Sequence, residues 1–174
     1  TVVYPLPFNK WLSWVNPDNG EVQGRRKSPR HFTEYDAFYE LYKIKSYLKN
    51  PNLSINLVLM DMEEYKLLNG WSYDKKRGST RYDRVPVGIR RIVKFDRIED
   101  YMQLVPADLK EDFTVKDFAM AAGVSVEASR YTLNILNYLE IVKRTGRVKN
   151  GYVYNVTEEF LSLIHISEPT RQEA

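Results

Sequence analysis

Between Phe113 and Thr157 the chain reads FTVKDFAMAAG, VSVEASRYTLNILNYLE and IVKRTGRVKNGYVYNVT, an order that few folds accept. The first block carries helix formers and stops at Gly123, which suits the left-handed backbone of a tight turn. Ser125 stands where a helix cap belongs, and Leu133, Leu136 and Leu139 then recur at helical spacing, with Ile141 extending the apolar face into a strand. Ala119 and Ala122 are small enough for two helices to cross closely, and Val124 is expected to plug the core. The third block predicts two strands around a basic turn. Upstream, RIEDYMQLV predicts a preceding helix with Ile98, Tyr101, Met102 and Val105 inward. Val126, Glu127, Arg130, Tyr131 and Asn134 are left facing outward on the third helix, and Lys143, Arg144, Arg147 and Lys149 fall in the strand pair.

Three helices followed by a two-stranded wing, over residues 95–160, resemble the winged helix-turn-helix family, most closely in AMAAGVSVEASRYTLNILNYLEIVKR. The resemblance implies DNA binding. Outward residues near the start of the third helix would enter the major groove, where Arg130 can bond guanine and Asn134 adenine, while the wing lysines and arginines hold phosphate. Winged helices also serve as protein-interaction or dimerisation modules. Glu127 stands where DNA readers often carry a neutral or basic group, so both readings stay open.

Residues 1–94 show a different pattern. TVVYPL is an apolar, β-branched run expected to be a strand, and KWLSWV and EVQ flank the turn-rich NPDNG as a hairpin. Thr33 is a suitable N-cap with Asp36 three residues on, and the helix should run to about Lys49, before Pro51, with Phe38, Leu41, Tyr42 and Leu48 on one face. NLSINLVLMD predicts a second strand and MEEYKLL a short helix. Strand, helix, strand in that order favours an α/β sheet with a parallel pair. The expected fold is therefore a partial, truncated α/β sheet at 1–94, followed by a small α+β winged helix at 95–160.

Two basic segments are expected as loops: Arg25, Arg26, Lys27 and Arg30 in one, and Lys75, Lys76, Arg77, Arg81 and Arg84, interleaved with Tyr73 and Tyr82, in the other. Basic loops with aromatic rings can follow a phosphate backbone and stack on bases. The charge is uneven, with 17 Lys/Arg against 10 Asp/Glu in residues 1–95 and 8 against 11 in residues 96–160. The absence of cysteine excludes disulfides, thiolate zinc sites and a cysteine nucleophile, and only His31 and His165 supply imidazoles. No run approaches the roughly 20 apolar residues of a membrane span, and a cytoplasmic location is the default expectation.

Carboxylates in the N-terminal part invite a metal reading. Asp18 and Glu21 are arranged as Asp then Glu-x-Gln, the order that holds Mg²⁺ in nucleases of the PD-(D/E)XK type. They lie three apart across a tight turn, which is more natural to loop hydrogen bonding than to two strands converging on one ion. Glu40 with Lys43 reads as a helix-face ion pair, and Asp61, Glu63 and Glu64 as the acidic start of a helix.

Taken together, VVYPLPFNKWLSWVNPDNGEVQGRRKSP, YDAFYELYKIK and NPNLSINLVLMDMEEYKLLNGWSYDKKRGSTRYDRVP resemble an uncharacterised bacterial family with a nuclease-like α/β domain and a C-terminal winged helix. The resemblance implies that strands carrying an Asp and a Glu-x-Gln lie upstream of Thr1. It therefore assigns no catalytic residue and no metal ligand to this chain, which is expected to be inactive itself, and leaves Mg²⁺ to a full-length parent. The chain opens on Thr, and LSLIHISEPTR near its end resembles the translation of a transposase-library sequencing adapter. Both suggest a metagenomic fragment with an artefactual tail at 161–174. The expected role is a DNA-binding module that positions a nuclease-like domain. DNA is the expected partner, a homodimer is also compatible, and no cofactor or membrane is expected.

Overall fold

A computed structural model describes residues 1–71, 78–149 and 151–161. The tail assigned to an adapter lies outside the described residues from position 162 onward, as do Tyr73, Lys75, Lys76 and Arg77. The chain is mixed α/β, with two sheets and several helices, and packs as two units. One comprises residues 3–34 and 56–93; the other comprises residues 1–2, 35–55 and 94–174.

The first unit is built on a four-stranded sheet of order β2-β1-β3-β4, with β1 at Val2–Val15, β2 at Val22–Lys27, β3 at Ile55–Leu67 and β4 at Thr80–Phe95. β1 and β2 form the expected antiparallel hairpin, pairing Trp11 with Lys27 and Ser13 with Arg25. Its turn is closed by the Gly20 N–H on the Asn16 carbonyl at 2.9 Å, with Gly20 at φ 71°. The contacts of β1 with β3 ascend together: Asn9 meets Asp61, Lys10 meets Glu64, and the Val15 carbonyl accepts the Leu68 N–H. The two strands therefore run parallel, as strand-helix-strand order requires. β4 returns antiparallel to β3, since Arg84 meets Glu64 and Arg90 meets Asp61. Leu6, Leu12, Trp14, Leu57, Leu59, Met62 and Val93 are buried in this unit.

Three expectations fail here. MEEYKLL is not a helix: β3 continues through it to Leu67. Met, Glu, Lys and Leu are good helix formers, but propensity is a small term, and cations on other strands of the sheet satisfy the three acids, so tertiary pairing outweighs it. Arg25, Arg26 and Lys27 belong to β2, and Arg81, Tyr82 and Arg84 to β4; neither group sits on a loop. Pro86 lies within β4, where a strand at the sheet edge can spare one N–H.

In the second unit the single helix expected from Thr33 to Lys49 is divided into a 3-10 turn at Glu34–Ala37, helix α1 at Phe38–Lys43 and a 3-10 turn at Lys45–Tyr47. Ile44 leaves helical geometry at φ −109° and ψ 18°. Pieces this short depend on packing for their stability. Phe38, Leu41 and Leu48 are buried as expected, whereas Tyr42 is exposed. Ile98–Leu104 is a 3-10 helix rather than an α-helix, with Tyr101 and Leu104 buried and Ile98, Met102 and Val105 half-buried. Tyr101 stacks on Phe95 at 4.3 Å, and burial pushes its phenol pKa upward.

β5 at Phe113–Thr114 leads into α2 at Val115–Ala122, α3 at Val126–Tyr138, β6 at Val142–Val148 and β7 at Gly151–Val156. Thr114 caps α2 through a reciprocal box with Asp117, and these bonds hold the Asp117 carboxyl below its ordinary value. Gly123 ends α2 at φ 65°, and the Ser125 hydroxyl accepts the Ala128 N–H at the head of α3, both as the sequence predicts. Leu133, Leu136, Leu139 and Ile141 are buried together, and Val124 is half-buried. β5, β7 and β6 form an antiparallel sheet in that order.

Candidate nucleic-acid interface

The β6–β7 hairpin gathers positive charge by register. Arg144 pairs with Tyr154 and Arg147 with Tyr152, with an irregularity at Thr145. The Arg144 guanidinium lies 4.2 Å from the Tyr152 ring centre, and that of Arg147 lies 5.5 Å from it. Such cation–π contacts restrain an exposed arginine without neutralising it. Lys143, Arg144, Arg147 and Lys149 are all exposed, and residues 141–157 contain no Asp or Glu. Among the described residues, none of the four has a carboxylate partner. Tyr152 was not singled out from the sequence. Its signal was the Tyr-x-Tyr of β7 facing the Arg-x-x-Arg of β6.

The outward residues of α3 divide into two groups. Val126, Glu127 and Arg130, in the first turns, are exposed. Tyr131 and Asn134 are half-buried against residues 39–45. The Tyr131 ring meets Tyr39 edge-on at 5.1 Å and Tyr42 at 5.5 Å, and Lys45 Nζ donates to Asn134 Oδ1 at 2.9 Å. Lys45 also lies 4.9 Å from the Tyr42 ring centre and 5.4 Å from that of Tyr138. Tyr42, Glu127, Arg130, Tyr131 and Asn134 line an open recess of about 500 Å³. Sequence periodicity identified the face of α3 that turns away from its own core. It did not reveal that α1 and the following turn cover half of that face.

The secondary basic groups are largely engaged. Arg25 Nη2 donates to Glu63 at 2.6 Å, and this bond, with a second from the Tyr65 hydroxyl, holds the Glu63 carboxyl below its usual range. Arg25 and Lys27 flank the Trp11 ring, Arg26 lies over Trp14, and Arg30 over Phe32. Arg84 Nε donates to Glu64 at 2.7 Å, whereas Arg81 Nε stands 3.6 Å from the same oxygen. Asp61 accepts from Arg90 Nε and from Asn9 Nδ2, both at 2.7 Å, and the Arg90 bond contributes most to depressing its pKa.

Asp18 and Glu21 lie in the exposed β1–β2 turn. Asn16 accepts the Asp18 N–H there, and Asn19 both accepts the Glu21 N–H and donates to the Glu21 carboxylate. Glu40 and Lys43 form the expected ion pair at 2.8 Å. Among the described residues, no three His, Cys, Asp or Glu side chains converge as a metal site would, and no helix is long and apolar enough to cross a membrane.

Residues 1–96, more than half of the chain, match the family described as a domain of unknown function (DUF8091), and the chain belongs to that family. It is also similar to an uncharacterized protein of Treponema pallidum (strain Nichols), with 26% identity over 141 residues. That match covers 78% of this chain and 53% of the relative, so the chain spans about half the length of the curated relative it matches. No solved structure matches the chain.

Proposed function

We propose that residues 95–160 are a winged helix-turn-helix that holds the phosphate backbone of DNA through its wing. The observation that carries this reading is the set of four exposed cations, Lys143, Arg144, Arg147 and Lys149, on a hairpin free of acids. Desolvating a cation that has no protein partner costs less than breaking an ion pair, so these groups are ready to exchange water and counterions for phosphate. The order of α2, the Gly123 turn, α3 and the β6–β7 pair supports the family assignment. Base contacts would fall to Arg130 and Glu127 and to the methyls of Val126, because Tyr131 and Asn134 already bind protein groups. In this reading the winged helix places a nuclease-like domain on DNA, and this chain itself carries no catalytic group.

Salt dependence tests the proposal. Each phosphate neutralised on duplex DNA contributes a slope of about −0.9 to log affinity against log salt, so four wing cations give about −3.6. In fluorescence anisotropy with a random duplex, Arg144→Ala/Arg147→Ala should lessen that slope by about 2 and weaken all sequences alike. No binding at low salt, or an unchanged slope in the variant, overturns the reading.

One observation favours a second reading, that of a protein-interaction module. Half of the outer face of α3, at Tyr131 and Asn134, is already covered by a tyrosine- and lysine-bearing segment of the chain itself. Self-association that persists at high salt, measured by sedimentation, would support it.

A further inference from the structure

Glu64 is the most crowded carboxylate among the described residues. Its side chain is 4% exposed, on β3 between β1 and β4. Arg84 Nε approaches Oε2 to 2.7 Å and Lys10 Nζ to 3.4 Å; Arg81 Nε stands 3.6 Å from the same oxygen, and Lys66 Nζ 3.9 Å from Oε1. Only the first two are within hydrogen-bonding distance. Two of the four cations thus converge on a carboxylate without donating a hydrogen bond to it. Asp83 lies close in the chain, but its carboxylate accepts the Arg84 backbone N–H. Even with Asp83 counted, the cations outnumber the carboxylates two to one.

Like charges gathered this closely repel one another unless anions are shared among them. Here one buried carboxylate anchors the Arg84 guanidinium through its Nε edge and draws that of Arg81 by charge alone. Among the described residues the terminal nitrogens of Arg81 and Arg84 donate to no protein group, and the two side chains are 59% and 41% exposed. A guanidinium anchored at Nε and open at its terminal nitrogens suits an anion that offers several oxygens at once. A second carboxylate would supply two oxygens and one charge; a phosphate supplies more of both.

We propose that Lys10, Lys66, Arg81 and Arg84 form a phosphate-binding site in which Glu64 is the fixed counter-charge that anchors the Arg84 guanidinium and holds the other three cations near it. The site does not rest on the winged-helix reading, because it lies on the other sheet and uses none of the wing residues. Its ligand is a phosphate group, carried either by a small polyphosphate or by a nucleic-acid backbone. Glu64 keeps its negative charge: the cations hold its carboxyl below the ordinary value even though burial, the largest single influence, works in the opposite direction.

The experiment uses the full chain and two probes, inorganic pyrophosphate followed by thermal shift at constant ionic strength, and a fluorescent single-stranded oligonucleotide followed by anisotropy. Arg81→Gln is the informative variant. Arg81 is beyond hydrogen-bonding reach of Glu64, so the variant should melt at the wild-type temperature when no probe is present. Lys66→Gln serves as an independent second variant. A pyrophosphate-induced rise in melting temperature that either variant weakens, with about a tenfold loss in affinity, supports the site with small phosphates as its source. If pyrophosphate is inert but Arg81→Gln weakens oligonucleotide binding about tenfold, the site stands with nucleic acid as its source. If neither variant alters either probe, the proposal is overturned, whatever the wing variants do.

Discussion

Tyr131 was expected at a DNA surface and instead packs on protein, so its replacement separates the two roles. Tyr131→Ala removes edge-on contacts with Tyr39 at 5.1 Å and Tyr42 at 5.5 Å. Aromatic pairs of this kind contribute about 0.5–1.5 kcal/mol each beyond the area they bury. Tyr39 is half exposed, so the lower end of that range applies, or about 1 kcal/mol for the two pairs. Losing the partly buried ring adds about 1–2 kcal/mol of apolar burial, for an expected cost of about 2–3 kcal/mol. Urea denaturation of the full chain, followed by tryptophan fluorescence and far-ultraviolet dichroism, measures it. The double variant Tyr39→Ala/Tyr131→Ala should cost about 0.5–1 kcal/mol less than the sum of the two single variants, because one contact is counted twice in that sum. Arg130→Ala, one residue earlier and exposed, should leave stability within about 0.5 kcal/mol. If Tyr131→Ala is as stable as wild type, or the cycle shows no coupling, then the segment bearing Tyr39 and Tyr42 does not cover α3 and the division of its outer face is wrong.

Three further predictions follow from local geometry. Thr114→Ala removes the hydroxyl that caps α2 and should cost about 1 kcal/mol at neutral pH. The folded pKa of Asp117 is depressed by this same box, so its stabilisation is present above its unfolded pKa and is lost as pH falls through the folded value; a carbon-detected NMR titration should show that midpoint rising in the variant. Gly123→Ala places a Cβ on a backbone at φ 65° and should destabilise by about 1–2 kcal/mol in the same urea assay, although nothing within 4 Å obstructs the added atom. Asp61→Asn removes the carboxylate that accepts from Arg90 and Asn9. It should lower the melting temperature at neutral pH, with the gap to wild type closing as pH falls through the depressed Asp61 pKa, because protonation then removes from the wild type the charge that the variant already lacks.

The elements legible in the sequence were those fixed locally. Gly123, Ser125 and the leucines of α3 each specify a turn, a cap or a helix face within a few residues, and the structure places all three as read. The β1–β2 hairpin was legible for the same reason, since Asn16, Asn19 and Gly20 close it among themselves. What could not be read was set by partners far along the chain. Glu63 and Glu64 resemble a helix start until Arg25, Lys10 and Arg84 are brought beside them from other strands. Asn134 resembles a base reader until Lys45, nearly ninety positions earlier, takes its amide oxygen. Periodicity tells which way a side chain points from its own element, and carries no information about what arrives from elsewhere.

β4 is the longest strand, and it borders the four-stranded sheet with Val85, Val87 and Ile89 standing exposed along it. A border of this kind invites accretion by passing chains, yet β4 also carries Arg81, Arg84, Arg90 and Arg91, and Pro86 interrupts its run of donors. An incoming strand would forfeit a hydrogen bond at Pro86, and a second copy of the same border would bring arginine against arginine. The protection is therefore mainly coulombic, and screening weakens it. Concentrated salt, usually a safe way to store a basic protein, should shorten the shelf life of this one by leaving a hydrophobic border guarded by a single proline.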